Sequence, residues 1–185
     1  TPGSGKTIGA NEVGGVLFQV VAGAAAVLSA NFTRPADTTA YASGDLVANS
    51  TTAGLVTPLT WNVARAAGLS SVIRRARLKK SATSITNASF RLHLYNSDPS
   101  AATGITNGDN GAFLTKIAGY IGAIDITVDK AFSDAAAGIG APNSGSDITC
   151  IPASGQAIYG LIEARAAYTP GNAETFTVEL EAWQN

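Results

Sequence analysis

Thr175-Phe176-Thr177-Val178-Glu179-Leu180-Glu181-Ala182 decides the fold. Phe176, Val178, Leu180 and Ala182 fall on every second position, and Thr175, Thr177, Glu179 and Glu181 fill the alternate ones. Side chains along a β-strand point alternately to opposite faces, so this octet is a strand with one row in a core and the other facing solvent or a partner. On a helix the same four apolar residues would scatter to opposite sides. Phe90-Arg91-Leu92-His93-Leu94-Tyr95 and Ile124-Asp125-Ile126-Thr127-Val128-Asp129 repeat the alternation, the first placing Arg91, His93 and Tyr95 on one face. Further strands are expected over residues 16–21, 46–49, 57–64, 72–80, 148–151 and 159–164.

Turn-forming clusters separate these runs, among them Ser43-Gly44-Asp45, Ser97-Asp98-Pro99, Asn107-Gly108-Asp109-Asn110-Gly111 and Thr169-Pro170-Gly171-Asn172. Gly supplies positive φ there, Pro a fixed φ, and Asn and Asp local backbone bonds. One short helix is expected over 110–118, with Asn110 as its cap. Many short strands with long loops give an all-β, single-domain antiparallel β-sandwich, jelly-roll-like, over residues 13–185, preceded by an extended N-terminal arm over 1–12.

A chain of 185 residues suits one domain and buries enough surface to need no staples. Cys150 is the lone cysteine, so neither an intrachain disulfide nor a cysteine-based metal cluster is available, and it reads as a small buried hydrophobe. A net charge of −1 predicts no general attraction to nucleic acid or to an anionic membrane. The uncharged run over 13–30 is long enough for a membrane span, but Gly14, Gly15, Gly23, Gln19, Ser29 and five alanines leave it few large apolar residues. It reads as a strand followed by an Ala-rich segment of a soluble protein.

No motif calls for chemistry. Gly3-Ser4-Gly5-Lys6-Thr7 resembles the end of a phosphate-binding loop, yet it runs into Ile8-Gly9-Ala10-Asn11 rather than into a helix that would aim amides at phosphate. His93, the single histidine, has no nucleophile elbow near it and alternates with Arg91 and Tyr95, as a surface or inter-subunit contact would. Asp98, Asp109, Asp129 and Asp134 are oxygen donors for a hard cation, but the Asp109 turn has no closing acid of the EF-hand kind and turn chemistry accounts for it. Glu163, Glu179 and Glu181 are the candidates for a hydrolytic carboxylate pair, although Glu179 and Glu181 share a strand face and call for basic neighbours. No cofactor, no metal and no enzymatic activity are expected.

The charge distribution is uneven. Residues 46–97 hold Arg65, Arg74, Arg75, Arg77, Lys79, Lys80 and Arg91 and no acid, whereas from Asp98 onward ten acids face Lys116, Lys130 and Arg165. Two arrangements fit: cross-strand pairing within one sheet, with Arg75, Arg77 and Lys79 beside Glu179 and Glu181, or a two-signed surface that matches neighbouring subunits. Arg74, Arg75, Arg77, Lys79, Glu179 and Glu181 are therefore the candidate partner contacts. A nucleic-acid groove would want interleaved aromatics, which residues 73–80 lack.

Ala30-Asn31-Phe32-Thr33-Arg34-Pro35-Ala36-Asp37-Thr38-Thr39-Ala40-Tyr41-Ala42-Ser43-Gly44-Asp45 resembles a segment recurrent in small virion proteins of tailed bacteriophages. Residues 90–99, 107–113 and 122–128, and the opening Gly5-Lys6-Thr7-Ile8 with Val13-Gly14-Gly15-Val16, are similar to the same group. The resemblance implies a head decoration, or cement, protein. Such a protein is made in the host cytoplasm and sits on the outer capsid surface. It binds the phage major capsid protein as a homo-oligomer, with a trimer favoured. The alternative is a fibre, collar or tail-tip domain that binds a cell-surface glycan through Trp61, Trp183, Tyr95, Tyr120 or Tyr168.

Overall fold

A computed structural model describes residues 10–13, 16–19, 24–100 and 104–185. Its strands are β1 (Ala10–Val13), β2 (Val16–Gln19), β3 (Ala24–Thr33), β4 (Leu46–Val47), β5 (Leu59–Asn62), β6 (Ser71–Lys80), β7 (Ser89–Tyr95), β8 (Tyr120–Ala131), β9 (Ala136–Gly140), β10 (Ile148–Cys150), β11 (Ala157–Ala164) and β12 (Thr175–Gln184). β1 and β2 pair as a separate two-stranded sheet. The other strands form one curled sheet in the order β3-β12-β6-β9-β8-β7-β11-β4, with β10 on β6 and β5 on β11. Every pairing is antiparallel. The expected all-β, sandwich-like domain is what the chain forms.

β8 is the strand on which the sheet turns. Most of its length, Tyr120 to Thr127, pairs with β7, and its end pairs with β9 after a register shift between Val128 and Lys130. Such irregularities bend a strand and raise its twist, which lets the two halves of the sheet face one another. The inward rows meet between them: Phe176, Val178 and Leu180 of β12, Ile73, Ala76 and Leu78 of β6, Phe90, Leu92 and Leu94 of β7, and Ile124 and Ile126 of β8 are buried in one core. Those of β12, β7 and β8 are the alternate residues that the sequence assigned to the core. Trp61 of β5 crosses this core and donates its indole N–H to the Val178 carbonyl at 3.1 Å.

A second, smaller core lies outside β7 and β11. The connection from β7 to β8 passes over their outer face, where Tyr95, Leu161, Leu46, Ala48, Val56 and Ile105 are buried together with Phe113 and Tyr159 packed against them. The helix expected over 110–118 is not there. Asn110 has φ 61°, a left-handed turn conformation rather than the extended one of a helix cap. Its N–H donates to Leu46, and Ala112 and Thr115 make isolated bridges to Asp45 and Ile105. Among the described residues the helical content is one 3-10 turn, Ala53–Leu55.

Three strands were not foreseen, β1, β3 and β9. The Ala-rich segment after the first strand is the ten-residue β3, paired with β12 along its whole length. Alanine occupies both of its rows, so the hydrophobic contrast that marks a strand is faint. β9 carries Gly138 and Gly140, which read as loop. Gly138 is required by close approach, since a Cβ there would lie 2.1 Å from the Thr127 carbonyl oxygen of β8. Of the arm expected over 1–12, residues 1–9 lie outside the described residues and 10–12 fall in β1 (Ala10–Val13). Residues 20 and 21 of the expected strand over 16–21 also lie outside them, and its remainder is β2.

Candidate interaction surface

The register between β6 and β12 places Arg77 opposite Glu179, and Arg75 opposite Glu181. On the outer face these residues form a ladder of alternating sign. Arg75 grips Glu181 with two bonds, Nε to Oε2 at 2.5 Å and Nη2 to Oε1 at 3.2 Å. Lys79 Nζ bonds Glu179 at 2.5 Å, and Arg77 stands between the two carboxylates at 3.6 Å from each. The hydrogen bond from Arg75 holds the Glu181 carboxyl below its ordinary range. Of the two arrangements open from sequence, cross-strand pairing is present, and the side chains of Arg75 and Lys79 remain half exposed while they make it.

Arg74 joins the same face for a different reason. Strict alternation would turn it inward with Ala76 and Leu78. The register shift between Glu181 and Ala182 leaves Arg74 without a partner on β12, and Arg74 and Arg75 both point outward. Arg74 reaches Asp147 at 3.5 Å and lies over the Trp183 ring, 5.2 Å from its centre. All six residues singled out from sequence thus share one face. Sequence reasoning missed their neighbours: exposed Val27 on β3 beside Glu181, exposed Ile139 on β9 beside Arg77, and Trp183. The face combines fixed charges with apolar side chains that stay exposed among the described residues.

The Asp109 turn has its oxygens engaged. Asp109 Oδ2 accepts from Arg34 Nη2 at 2.9 Å, and Oδ1 accepts from the Tyr41 hydroxyl at 2.6 Å and the Ala48 N–H at 2.8 Å. Arg34 also donates to Tyr41, to the Asp37 carbonyl and to the Asp37 carboxylate. The side chains of Arg34 and Asp109 are 0% and 1% exposed. A guanidinium therefore stands where a cation would have to bind. Among the described residues no cluster of three or more His, Cys, Asp or Glu side chains is arranged around a common point. Cys150 is buried, and burial pushes its thiol up to about 11.

His93 sits on the outer face of β7 under the β7–β8 connection, stacked on Phe113 at 4.2 Å. Its Nε2 is 2.8 Å from Glu163, which Arg165 also holds at 2.9 Å. Alongside, Arg91 and Asp125 form a two-bond pair at 2.6 and 2.7 Å. Burial lowers the His93 pKa below its ordinary 6.5, although Glu163 pulls the other way. The unfolded chain then takes up a proton that the folded chain refuses. This contribution to stability is complete above about pH 6.5 and is lost as pH falls from there towards the folded value. We expect His93→Gln to flatten that part of the pH dependence, read as the urea midpoint between neutral pH and about pH 5. Equal slopes in the two proteins would contradict it.

Of the aromatics expected to stack on sugars, Trp61, Tyr95 and Tyr168 are buried, and only Trp183 and Tyr120 are exposed. A cleft of about 460 Å³ is lined by Ala53, Gly54, Val56, Ser100, Ile105 and Thr106, none of them titratable. No protein-family model matches the chain, and no curated protein matches it significantly in sequence.

Proposed function

We propose that the chain is a non-enzymatic virion structural protein that decorates and stabilises a bacteriophage capsid by bridging major capsid protein subunits on the outer surface. The observation that carries this reading is the β6–β12 face, where a charge ladder is fixed by the register of a rigid sheet and bordered by exposed Val27, Ile139 and Trp183. A face of this kind suits a flat protein partner better than a small molecule. Apolar side chains and arginine supply contact energy, and placed charges set register and exclude wrong partners. Pre-pairing lowers the cost of binding, because the long side chains are already ordered before a partner arrives.

Among the described residues every buried side-chain nitrogen and oxygen has a hydrogen-bond partner. A stable specific interface buries about 1,600 Å² in total, and copies arranged as a trimer would multiply that around a symmetry axis.

Reversing Arg75 and Arg77 together to Glu tests the assignment. Both side chains lie on the outer face, outside the core, Arg75 exposed and Arg77 partly so, and the variant is expected to fold. Its occupancy on purified capsids is expected to fall at least tenfold at limiting protein, since like charges would then face one another along the ladder and across the interface. Unchanged occupancy would remove this face from the contact.

A further inference from the structure

Lys80 closes β6 on the inward side of the strand, and its side chain is fully buried. Facing it, equally buried, is the carboxylate of Glu174 in the turn before β12, with Lys80 Nζ 3.2 Å from Glu174 Oε1. Nζ also donates to the Ala82 carbonyl at 2.8 Å. The Tyr168 hydroxyl lies 2.8 Å from both carboxylate oxygens. The Gly171 N–H donates to Oε2 at 3.0 Å. The side chains of this group make no hydrogen bond to the outer ladder or to the Arg34 side chain. The group adjoins the Arg34 network through the backbone, where the Arg34 and Tyr41 N–H groups donate to the Glu174 and Tyr168 carbonyls at 3.0 and 2.9 Å.

The layout is that of acyl transfer. An amine lies against one carboxylate oxygen, while the Gly171 N–H holds the other, where negative charge would gather in a tetrahedral intermediate, and the single Tyr168 hydroxyl proton is within reach of either oxygen. The Tyr168 hydroxyl touches both oxygens and so is placed to pass a proton to the one that leaves. Opposite charges held out of water are costly, and a reaction that turns the pair neutral relieves that cost. Burial lowers the Lys80 pKa towards the free, nucleophilic amine, although Glu174 opposes it. Fixed contact replaces encounter, which for well-oriented groups is a large rate advantage.

We propose that Lys80 and Glu174 become joined by an intramolecular amide bond. The Lys80 nitrogen attacks Cδ of Glu174, the Nζ–Cδ bond forms and the Cδ–Oε1 bond breaks. The nitrogen gives up two protons, Oε1 takes up two, and one water leaves. Nothing is oxidised or reduced and no co-reactant is consumed. Oε2 becomes the amide oxygen and keeps Tyr168 and Gly171 as donors. The remaining N–H keeps the Ala82 carbonyl, so each polar atom of the product is satisfied. The bond ties the end of β6 to the start of β12 and restrains the unfolded chain as a disulfide does, in a chain whose lone cysteine cannot form one within it. This inference does not depend on the capsid reading.

The test is the intact mass of the full chain, purified folded, incubated and then denatured. The wild-type protein is expected to be lighter than its sequence by one water, with a peptide map that joins the segments carrying Lys80 and Glu174. Lys80→Arg and Glu174→Ala are expected at full sequence mass. Tyr168→Phe, which keeps the ring and loses the hydroxyl, is expected to complete the loss at least tenfold more slowly. A wild-type mass equal to that of the sequence after prolonged incubation would overturn the proposal. So would a water loss that persists in Lys80→Arg. If the variants do not fold, the wild-type peptide map decides alone: separate Lys80 and Glu174 peptides sink it.

Discussion

Arg34→Ala is expected to lower folding stability by about 3–5 kcal/mol, because it leaves the Asp109 carboxylate buried without its countercharge. Arg34 follows β3, Tyr41 lies in the loop after it, and Asp109 belongs to the β7–β8 connection. The Arg34 guanidinium binds Tyr41 and Asp109, which are bonded to each other as well. Removing Arg34 therefore loosens the second core, whose Leu46 is tied to the Asp109 turn through backbone bonds and whose Ala48 N–H donates to the Asp109 carboxylate. Asp37, which also holds Arg34, is exposed, and Asp37→Ala should cost far less, about 1 kcal/mol or below. Urea denaturation of the two variants beside the wild type measures both. Equal, small losses would mean that the Arg34 network does not organise the loops.

Trp61→Ala is expected to cost about 3–5 kcal/mol, the usual range for emptying a large aromatic site. The indole lies in the main core and fits against Gly160 of β11, where a built Cβ would come within 2.6 Å of the ring. Its N–H is also the partner of the Val178 carbonyl on β12. Trp61→Phe keeps much of the packing and loses that bond, so a smaller loss is expected, about 1–3 kcal/mol. Gly160→Ala should approach the cost of Trp61→Phe by pushing the same ring out of place. Thermal or urea unfolding separates these. If Trp61→Ala unfolded like the wild type, β5 would not be clamped across the core to β12.

What the sequence made legible follows from contrast between neighbouring residues. β12, β7 and β8 alternate large apolar residues with charged or polar ones, and their inward rows are the core. That Arg75, Arg77 and Lys79 could lie beside Glu179 and Glu181 was also open to view, because opposite charges lay on the solvent rows of two expected strands; the individual pairs came from the register. β3 and β9 were obscured because Ala and Gly give too little contrast, although a partner strand fixes them. Arg74 was placed on the right face only because a bulge overturns the strict alternation. Arg34 with Asp109, and Lys80 with Glu174, are distant in sequence and joined by tertiary packing. Lys80 left one signal, since alternation along β6 assigns it to the inward row with Leu78. Asn110 was read as a helix cap because caps and left-handed turns favour the same residue.

Electron microscopy of an assembled phage particle tests the central proposal most directly. Density for this all-β domain is expected on the outer capsid surface, with the β6–β12 face against more than one major capsid protein subunit. Particles that lack the chain on the head, or that carry it only at a tail tip or fibre with the ladder facing solvent, would contradict it.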